Sequence, residues 1–238
     1  MRRPCAVVIA GPGTNRDPDT EVALELAGSE PRTCLVGDLT ADPALLSSAT
    51  IAVVAGGFSY GDALGAGRLL ALDLEIALGE HLAVFVERGG LLLGICNGFQ
   101  VLTRAGLLPG SLTHNDGGHF ICDWVELAPT TNSVSIWTAG ITDVIHAPIA
   151  HGEGRWVHPD PQAIAAGGQV ALRYHGCNPN GSVDDVAGVC DATGRVLGLM
   201  PHPENHIVDR QHPNAGRIEP MTHLGLRLFQ NAVEYVRG

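Results

Sequence analysis

In the stretch GGLLLGICNGFQVL, Gly89 to Leu102, a cysteine stands in the pattern Gly94-Ile95-Cys96-Asn97-Gly98. A cysteine that only fills a core needs no glycine on either side. A cysteine on a sharp turn from strand to helix does, because small flanking residues relieve the crowding of such an elbow. The first turn of the following helix offers unpaired N–H groups and a partial positive charge, and both favour a thiolate. The chemistry expected at Cys96 is nucleophilic attack by sulfur.

A thiolate nucleophile needs a base and a group to orient that base. The segment GLMPHPENH, residues 198–206, supplies His202 and Glu204, with Pro201 and Pro203 around the histidine. In extended backbone, positions i and i+2 face the same side, so Glu204 is expected to reach the His202 ring, fix its tautomer and stabilise its cation. The order is nucleophile, histidine, acid, whereas α/β-hydrolases run nucleophile, acid, histidine. A third segment, AGGFSYGDALGAG at 55–67, is rich in glycine, which lets backbone N–H groups approach a ligand. The N–H of Gly57 or Phe58, with that of Asn97, is expected to form an oxyanion hole.

These segments need strands that end at one edge. CAVVIA (5–10), TCLVG (33–37), TIAVVAGG (50–57) and LLLGI (91–95) read as buried strands, apolar on both faces. Helices are expected between them: one with Asp17 as N-cap, Pro18 first and Gly28 as stop, a long one within 65–90, and one over 97–106. Alternation of this kind implies an open, mostly parallel sheet flanked by helices. The second half, from HFICDWVELAP through VALRYHGCNPNGS and VAGVCDATGRVLGLM, alternates polar and apolar residues, which predicts an added antiparallel portion with a hairpin at DATGR (191–195). The tail THLGLRLFQNAVEYVRG reads as an amphipathic helix with Leu224, Leu228 and Val233 near one side. No repeat, low-complexity run or linker interrupts the chain, so one domain over 1–238 is expected.

Composition narrows the function. All 14 basic residues are arginine, against 25 acids, for a net charge of −11. An acidic chain without a basic stripe, and with only 5% aromatics, is a poor partner for nucleic acid. With no lysine there is no Walker A loop and no Schiff base, so any ATP used in the same reaction belongs to another chain. Six scattered cysteines with no C-x-x-C pair read as reduced thiols of a cytosolic protein. The apolar run at residues 5–10 is too short for a signal peptide, and no stretch has the length of a membrane span. His202 and His206 are four apart, but the prolines spoil a helical pair; His175 and Cys177 have no second pair, so no metal is expected. His114, His119 and His151 sit among Gly and Asp and read mostly as exposed loop residues; Trp124, Trp137 and Trp156 read as core or interface.

Taken together, GICNGFQ, PHPE and GGFSYGD resemble the class I (triad) glutamine amidotransferases, of flavodoxin-like fold. More narrowly, GPGTNRDPDT, GLLPG, HGEGR (151–155), NPNGS (178–182) and GLMPHPE follow the order of the glutaminase subunits of phosphoribosylformylglycinamidine synthase, over nearly the whole chain. The resemblance implies that Cys96 attacks the side-chain amide of glutamine, with His202 as acid and base and Glu204 orienting it. It implies a γ-glutamyl thioester and ammonia passed to a separate synthetase subunit, where ATP and Mg are bound, with a small third subunit in the complex and no cofactor in this chain. Gln100 matches the family's C-x-G-x-Q glutamine and is expected to line the substrate pocket, with His151 and Glu153 of HGEGR opposite. Asn205 and His206 depart from the charged residue usual after HPE, and DALGAG is less bulky than usual, so altered partner contacts are expected there. A class I glutaminase serving another synthetase and a non-catalytic subunit of the same fold are the alternative readings.

Overall fold

The computed structural model describes residues 2–216 and 224–238. Its strands are β1 (Cys5–Ala10), β2 (Glu30–Leu35), β3 (Ile51–Val54), β4 (Leu91–Ile95), β5 (Ser111–Thr113), β6 (Ile121–Pro129), β7 (Ile145–His151), β8 (Arg155–Val157), β9 (Val170–His175), β10 (Val186–Cys190) and β11 (Val196–Leu199). Its α-helices are α1 (Asp17–Ala27), α2 (Val36–Ala41), α3 (Ala44–Ser48), α4 (Arg68–Glu87), α5 (Asn97–Arg104), α6 (Pro161–Ala166) and α7 (Leu226–Arg237). Nine strands form one sheet in the order β2-β1-β3-β4-β11-β10-β9-β6-β7, and β5 pairs with β8 apart from it.

The first five strands of that order are all parallel, and the remaining pairings are antiparallel. The expected fold class therefore stands. IAVV and LLLGI are buried at every residue, as strands covered by helices on both faces must be. Around them α1 packs on α7, and α4 packs on α2, α3 and α5. In β7 the residues alternate, with Ile145, Ala147, Ile149 and His151 buried, the signature of a sheet half open to water.

Several boundaries differ from the sequence reading. β2 begins at Glu30 and ends at Leu35, so Val36 and Gly37 belong to α2. It pairs with β1 along its whole length, yet as an edge strand only its Cys34 is buried. An edge tolerates Pro31 and carries little apolar signal. Asp17 is the first helical residue; Arg16 occupies the cap position. β11 is antiparallel to β10 but parallel to β4, so the last strand of the antiparallel-looking half is the fifth parallel strand. Leu224 precedes α7, whereas Leu228 and Val233 are buried in it; Thr222 and His223 of the expected tail helix lie outside the described residues. No described helix is long and apolar enough to cross a membrane.

The parallel arrangement carries four strand ends to one edge: Gly11 after β1, Gly56 after β3, Cys96 after β4 and Met200 after β11. The register pairs Leu199 with Ile95, and Cys96 N–H donates to Leu199 O at 2.8 Å. α5 then folds down onto the sheet, burying Phe99, Val101 and Leu102, each worth about 1.5–3 kcal/mol. That descent requires the two glycines around the cysteine. A Cβ on Gly98 would sit 2.0 Å from Val54 O, and one on Gly94 would sit 2.7 Å from Gly98 O.

Two substitutions separate this constraint from ordinary glycine entropy. Gly98→Ala should destabilise the protein by about 3 kcal/mol through overpacking against β3. Gly79→Ala, in the middle of α4 with open space where its methyl would go, should stabilise by up to about 1 kcal/mol. Urea unfolding of both variants checks the pair; a Gly98→Ala protein as stable as wild type would show that the elbow has room to spare.

Candidate active site

Cys96 sits between β4 and α5 with φ 48° and ψ −101°, a left-handed conformation that L-residues avoid. The register of β4, the pull of α5 onto the sheet and the two glycines hold it there. The side chain is nearly buried, at 6% exposure, and lines a pocket of about 190 Å³.

His202 follows β11 at the same edge. Its N–H donates to Pro148 O at 2.8 Å, which fixes it against β7. Its ring Nδ1 lies 2.6 Å from Glu204 Oε1, with His202 3% and Glu204 0% exposed. The carboxylate accepts, so Nδ1 carries the proton and Nε2 is left for the sulfur. The expected pairing is present, but not on extended backbone: Pro203–Asn205 form a short 3₁₀ turn, and the i, i+2 reach comes from that turn. Burial alone would lower the His202 pKa. The Glu204 carboxylate, and after it the Cys96 sulfur, outweigh it and raise the pKa. The arrangement is an imidazolium poised between a sulfur and a carboxylate. Glu204 Oε2 has no partner among the described residues.

The loop after β3 supplies donors. Gly57, Phe58 and Asn97 all line the pocket. Ser59 N–H donates to Gly57 O at 2.8 Å, and the Asn97 amide reaches the same oxygen at 3.0 Å with its nitrogen turned toward it. A trans peptide points its C=O and N–H in opposite directions. Pinning Gly57 O therefore aims the Phe58 N–H the other way. The N–H groups of Gly57, Phe58 and Asn97 have no hydrogen-bond partner among the described residues, as an oxyanion hole requires. The loop is strained: Tyr60, Asp62 and Leu64 have φ of 54°, 54° and 65°, costing about 1–3 kcal/mol each. The ring of Phe58 stacks on Phe120 at 6.3 Å across the mouth.

Gln100, His151 and Glu153 also line the pocket. Gln100 Nε2 donates to Glu153 O at 2.7 Å, and Arg104 pairs with the Glu153 carboxylate at 3.5 Å. Gln100 thus braces the 151–155 loop. His151 is not an exposed loop residue: it ends β7 at 3% exposure, while His114 and His119 are exposed. Asn115 fixes its tautomer. Asn115 Nδ2 donates to two carbonyls, His119 O and His151 O, so its Oδ1 accepts, and His151 Nδ1 must donate to it at 3.1 Å. Burial, and then the neighbouring His202 cation, lower the His151 pKa to about 4.

Sequence reasoning missed Asn15, Arg16, Asp62 and Phe120 in the pocket lining, and Asn115 behind it. The motif GPGTNRDPDT held the first two, but nothing in its pattern reveals that β1 ends beside β3. Burial first, then the Glu153 carboxylate, raise the Asp62 pKa. His206, expected to alter partner contacts, is instead wholly buried. Its Nδ1 donates to His146 O at 2.6 Å, and its ring meets Trp124 edge-on at 5.2 Å. Trp137 and Trp156 are core residues. All six cysteines are free, and no group of three or more metal-ligating side chains is arranged for a metal among the described residues.

Residues 3–236 match the family model of the CobB/CobQ-like glutamine amidotransferase domain. A phosphoribosylformylglycinamidine synthase subunit PurQ of Treponema denticola is 40% identical, over 98% of this chain and 99% of the relative. One of a Nostoc species is 42% identical, over 96% of each. Among solved structures, that of PurLQS from Thermotoga maritima contains a chain 36% identical, with a TM-score of 0.81 over 98% of this chain and 99% of that one.

A histidine with a lowered folded-state pKa takes its proton only in the unfolded chain. Between about 6.5 and the folded value, His151 therefore removes stability as pH falls. His151→Asn should flatten the loss of urea stability between pH 6.5 and 4.5, whatever its effect at neutral pH. Parallel pH profiles for variant and wild type would mean that the native ring is already protonated in that window.

Proposed function

The chain belongs to the CobB/CobQ-like glutamine amidotransferases, within the family of phosphoribosylformylglycinamidine synthase PurQ subunits, and from that premise we propose how its own residues perform the glutaminase half of the reaction. It is the glutaminase subunit of that synthase. It releases ammonia from glutamine for a synthetase subunit that converts formylglycinamide ribonucleotide to the amidine, with a small third subunit in the assembly. ATP and Mg are held by the synthetase, and this chain works without a cofactor, in the cytoplasm.

Glutamine enters with its side-chain amide toward Cys96. A pocket of about 190 Å³ is smaller than drug-sized sites and suits one amino acid. Its lining provides both charge types that the α-centre of an amino acid needs: the Arg16 guanidinium for the carboxylate, Asp62 and Glu153 for the ammonium. The thiolate attacks the amide carbon. The oxygen takes the developing charge and lies against the N–H groups of Gly57 or Phe58 and Asn97, a contact of the kind worth about 3 kcal/mol per donor. His202 gives its proton to the nitrogen, the C–N bond breaks and ammonia leaves. A water then attacks the thioester, His202 takes its proton, the C–S bond breaks and glutamate departs. Glu204 keeps Nδ1 protonated throughout, so that Nε2 is the working nitrogen in both steps.

The observation that carries this reading is the buried His202–Glu204 pair at 2.6 Å, whose histidine lines one pocket with Cys96. Cys96→Ala in the complex should abolish glutamine-dependent amidine formation and leave ammonia-dependent formation intact. Retained glutamine use would remove the sulfur from the mechanism. Glu204→Gln leaves a neutral partner for Nδ1 and should lower kcat by about a hundredfold or more with little change in KM, measured as glutamate release. A variant with full kcat would show that the carboxylate does not orient the ring.

A further inference from the structure

Beside the oxyanion loop, Tyr60 makes a contact that the reaction as described does not use. Its phenol O–H donates to Asp73 Oδ2 on α4. The residue occupies the left-handed region, with φ 54° and ψ 24°, followed by Gly61 at 61° and 26°. A bulky side chain seldom stays there unless its surroundings impose it. Tyr60 is half-buried against the core, and its ring borders a groove of about 620 Å³ that also exposes Leu35 and Ile76. The core supports part of the side chain, and the phenol's hydrogen bond to Asp73 fixes its polar end. Its anchor is rigid, since α4 buries Leu70, Leu74 and Leu78 on either side of Asp73.

We propose that Tyr60 is a positioning residue, tethered by Asp73, that holds the peptide groups of Gly57 and Phe58 in oxyanion-binding orientation. The proposal rests on the reading of those N–H groups as oxyanion donors. The coupling runs through backbone. Tyr60 N–H donates to Pro12 O at 2.5 Å, Gly61 N–H to Phe58 O at 2.8 Å, and Ser59 N–H to Gly57 O at 2.8 Å. With Tyr60 fixed, the carbonyls of residues 57 and 58 are drawn inward. Planar trans peptides then leave the N–H of residue 58 turned away from them. With the phenol released, Tyr60 can relax to negative φ, and the bond from Gly61 to Phe58 opens first. The phenol keeps its proton, since the hydrogen bond to Asp73, followed by burial, raises its pKa.

The test uses the full chain assembled with its synthetase. Tyr60→Phe removes one oxygen atom and should lower kcat for glutamine hydrolysis about tenfold, as loss of one hydrogen bond allows. KM for glutamine should stay within about twofold and ammonia-dependent synthesis should be unchanged. Asp73→Ala should match it, the double variant should be no slower than either single one, and Asp73→Asn, whose amide oxygen still accepts from the phenol, should retain most of the rate. Hydrogen exchange of the amides at 57–67 should quicken about tenfold in Tyr60→Phe, in step with the lost tether. A Tyr60→Phe enzyme with wild-type kcat and exchange overturns the proposal, as do losses that multiply in the double variant. Labelling of Cys96 by a glutamine-like electrophile and glutamate release by the wild type test the glutaminase reading separately. Their absence would sink that reading and this one together, whereas an active wild type equalled by Tyr60→Phe sinks the tether alone.

Discussion

The site depends on the pairing of β4 with β11. The two strands are neighbours in the sheet but about a hundred residues apart in sequence, and they run parallel with Leu199 opposite Ile95. Cys96 stands one residue beyond that rung and His202 three beyond it. The rung extends into the elbow itself, since the Cys96 N–H is spent on Leu199 O. A slip of one residue would move His202 by about 3.3 Å along the strand and turn every side chain of β11 to the opposite face. Val196, Leu197 and Leu199 are all buried, so no shifted register leaves an intact core. Hydrophobic packing of the strand thus sets the distance between a sulfur and an imidazole that have no other covalent or local relation.

What packing brings together, burial makes difficult. Glu204 and His202 are shut away from water, and a buried ion pair is weak evidence for stability, since desolvation offsets most of its attraction. Glu204 Oε2 lacks a partner among the described residues, which deepens that cost. The pair makes sense as chemistry: the carboxylate and the sulfur together overcome the burial that would otherwise strip the proton from His202. His151, a few side chains away in the same pocket, has no carboxylate of its own. Burial dominates there, and its pKa falls to about 4. Two histidines in one pocket are driven in opposite directions, one by its carboxylate and one by burial.

Cys96, His202 and Glu204 were legible in the sequence because each lies in a short run whose composition has a local cause. Gly94 and Gly98 announce the elbow, because their absent Cβ atoms are what let α5 descend. Pro201 and Pro203 announce that His202 is not in a helix. Long apolar runs announced β3 and β4, whose faces are both covered. The misses share a different physical origin. β2 is an edge strand with one buried residue, so it carries no run to read. β11 resembles its antiparallel partner, and nothing local says that its other neighbour is β4. Arg16, Asp62 and Asn115 reach the pocket through contacts fixed by tertiary structure, and the burial of His206 behind the Pro203–Asn205 turn depends on β7 lying beside it. Local chemistry is written in the chain; adjacency between distant strand ends is not.

The distribution of backbone strain fits this division between chemistry and scaffold. Among the described residues six non-glycine residues have positive φ, and four of them, Cys96, Tyr60, Asp62 and Leu64, belong to the elbow and the loop after β3. Strain persists only where the surroundings over-determine it. At Cys96 the surroundings are the sheet and α5. In the loop they are hydrogen bonds: the Asn97 amide to Gly57 and Ser59, Arg104 to Ala66 O, and Tyr60 to Asp73. Two of those donors, Asn97 and Arg104, lie on α5, the same helix that seats Cys96 and whose Gln100 braces Glu153. One eight-residue helix therefore touches Cys96, the loop after β3 and the loop across the pocket. Its descent onto β3 is a condition for all three to be in place at once.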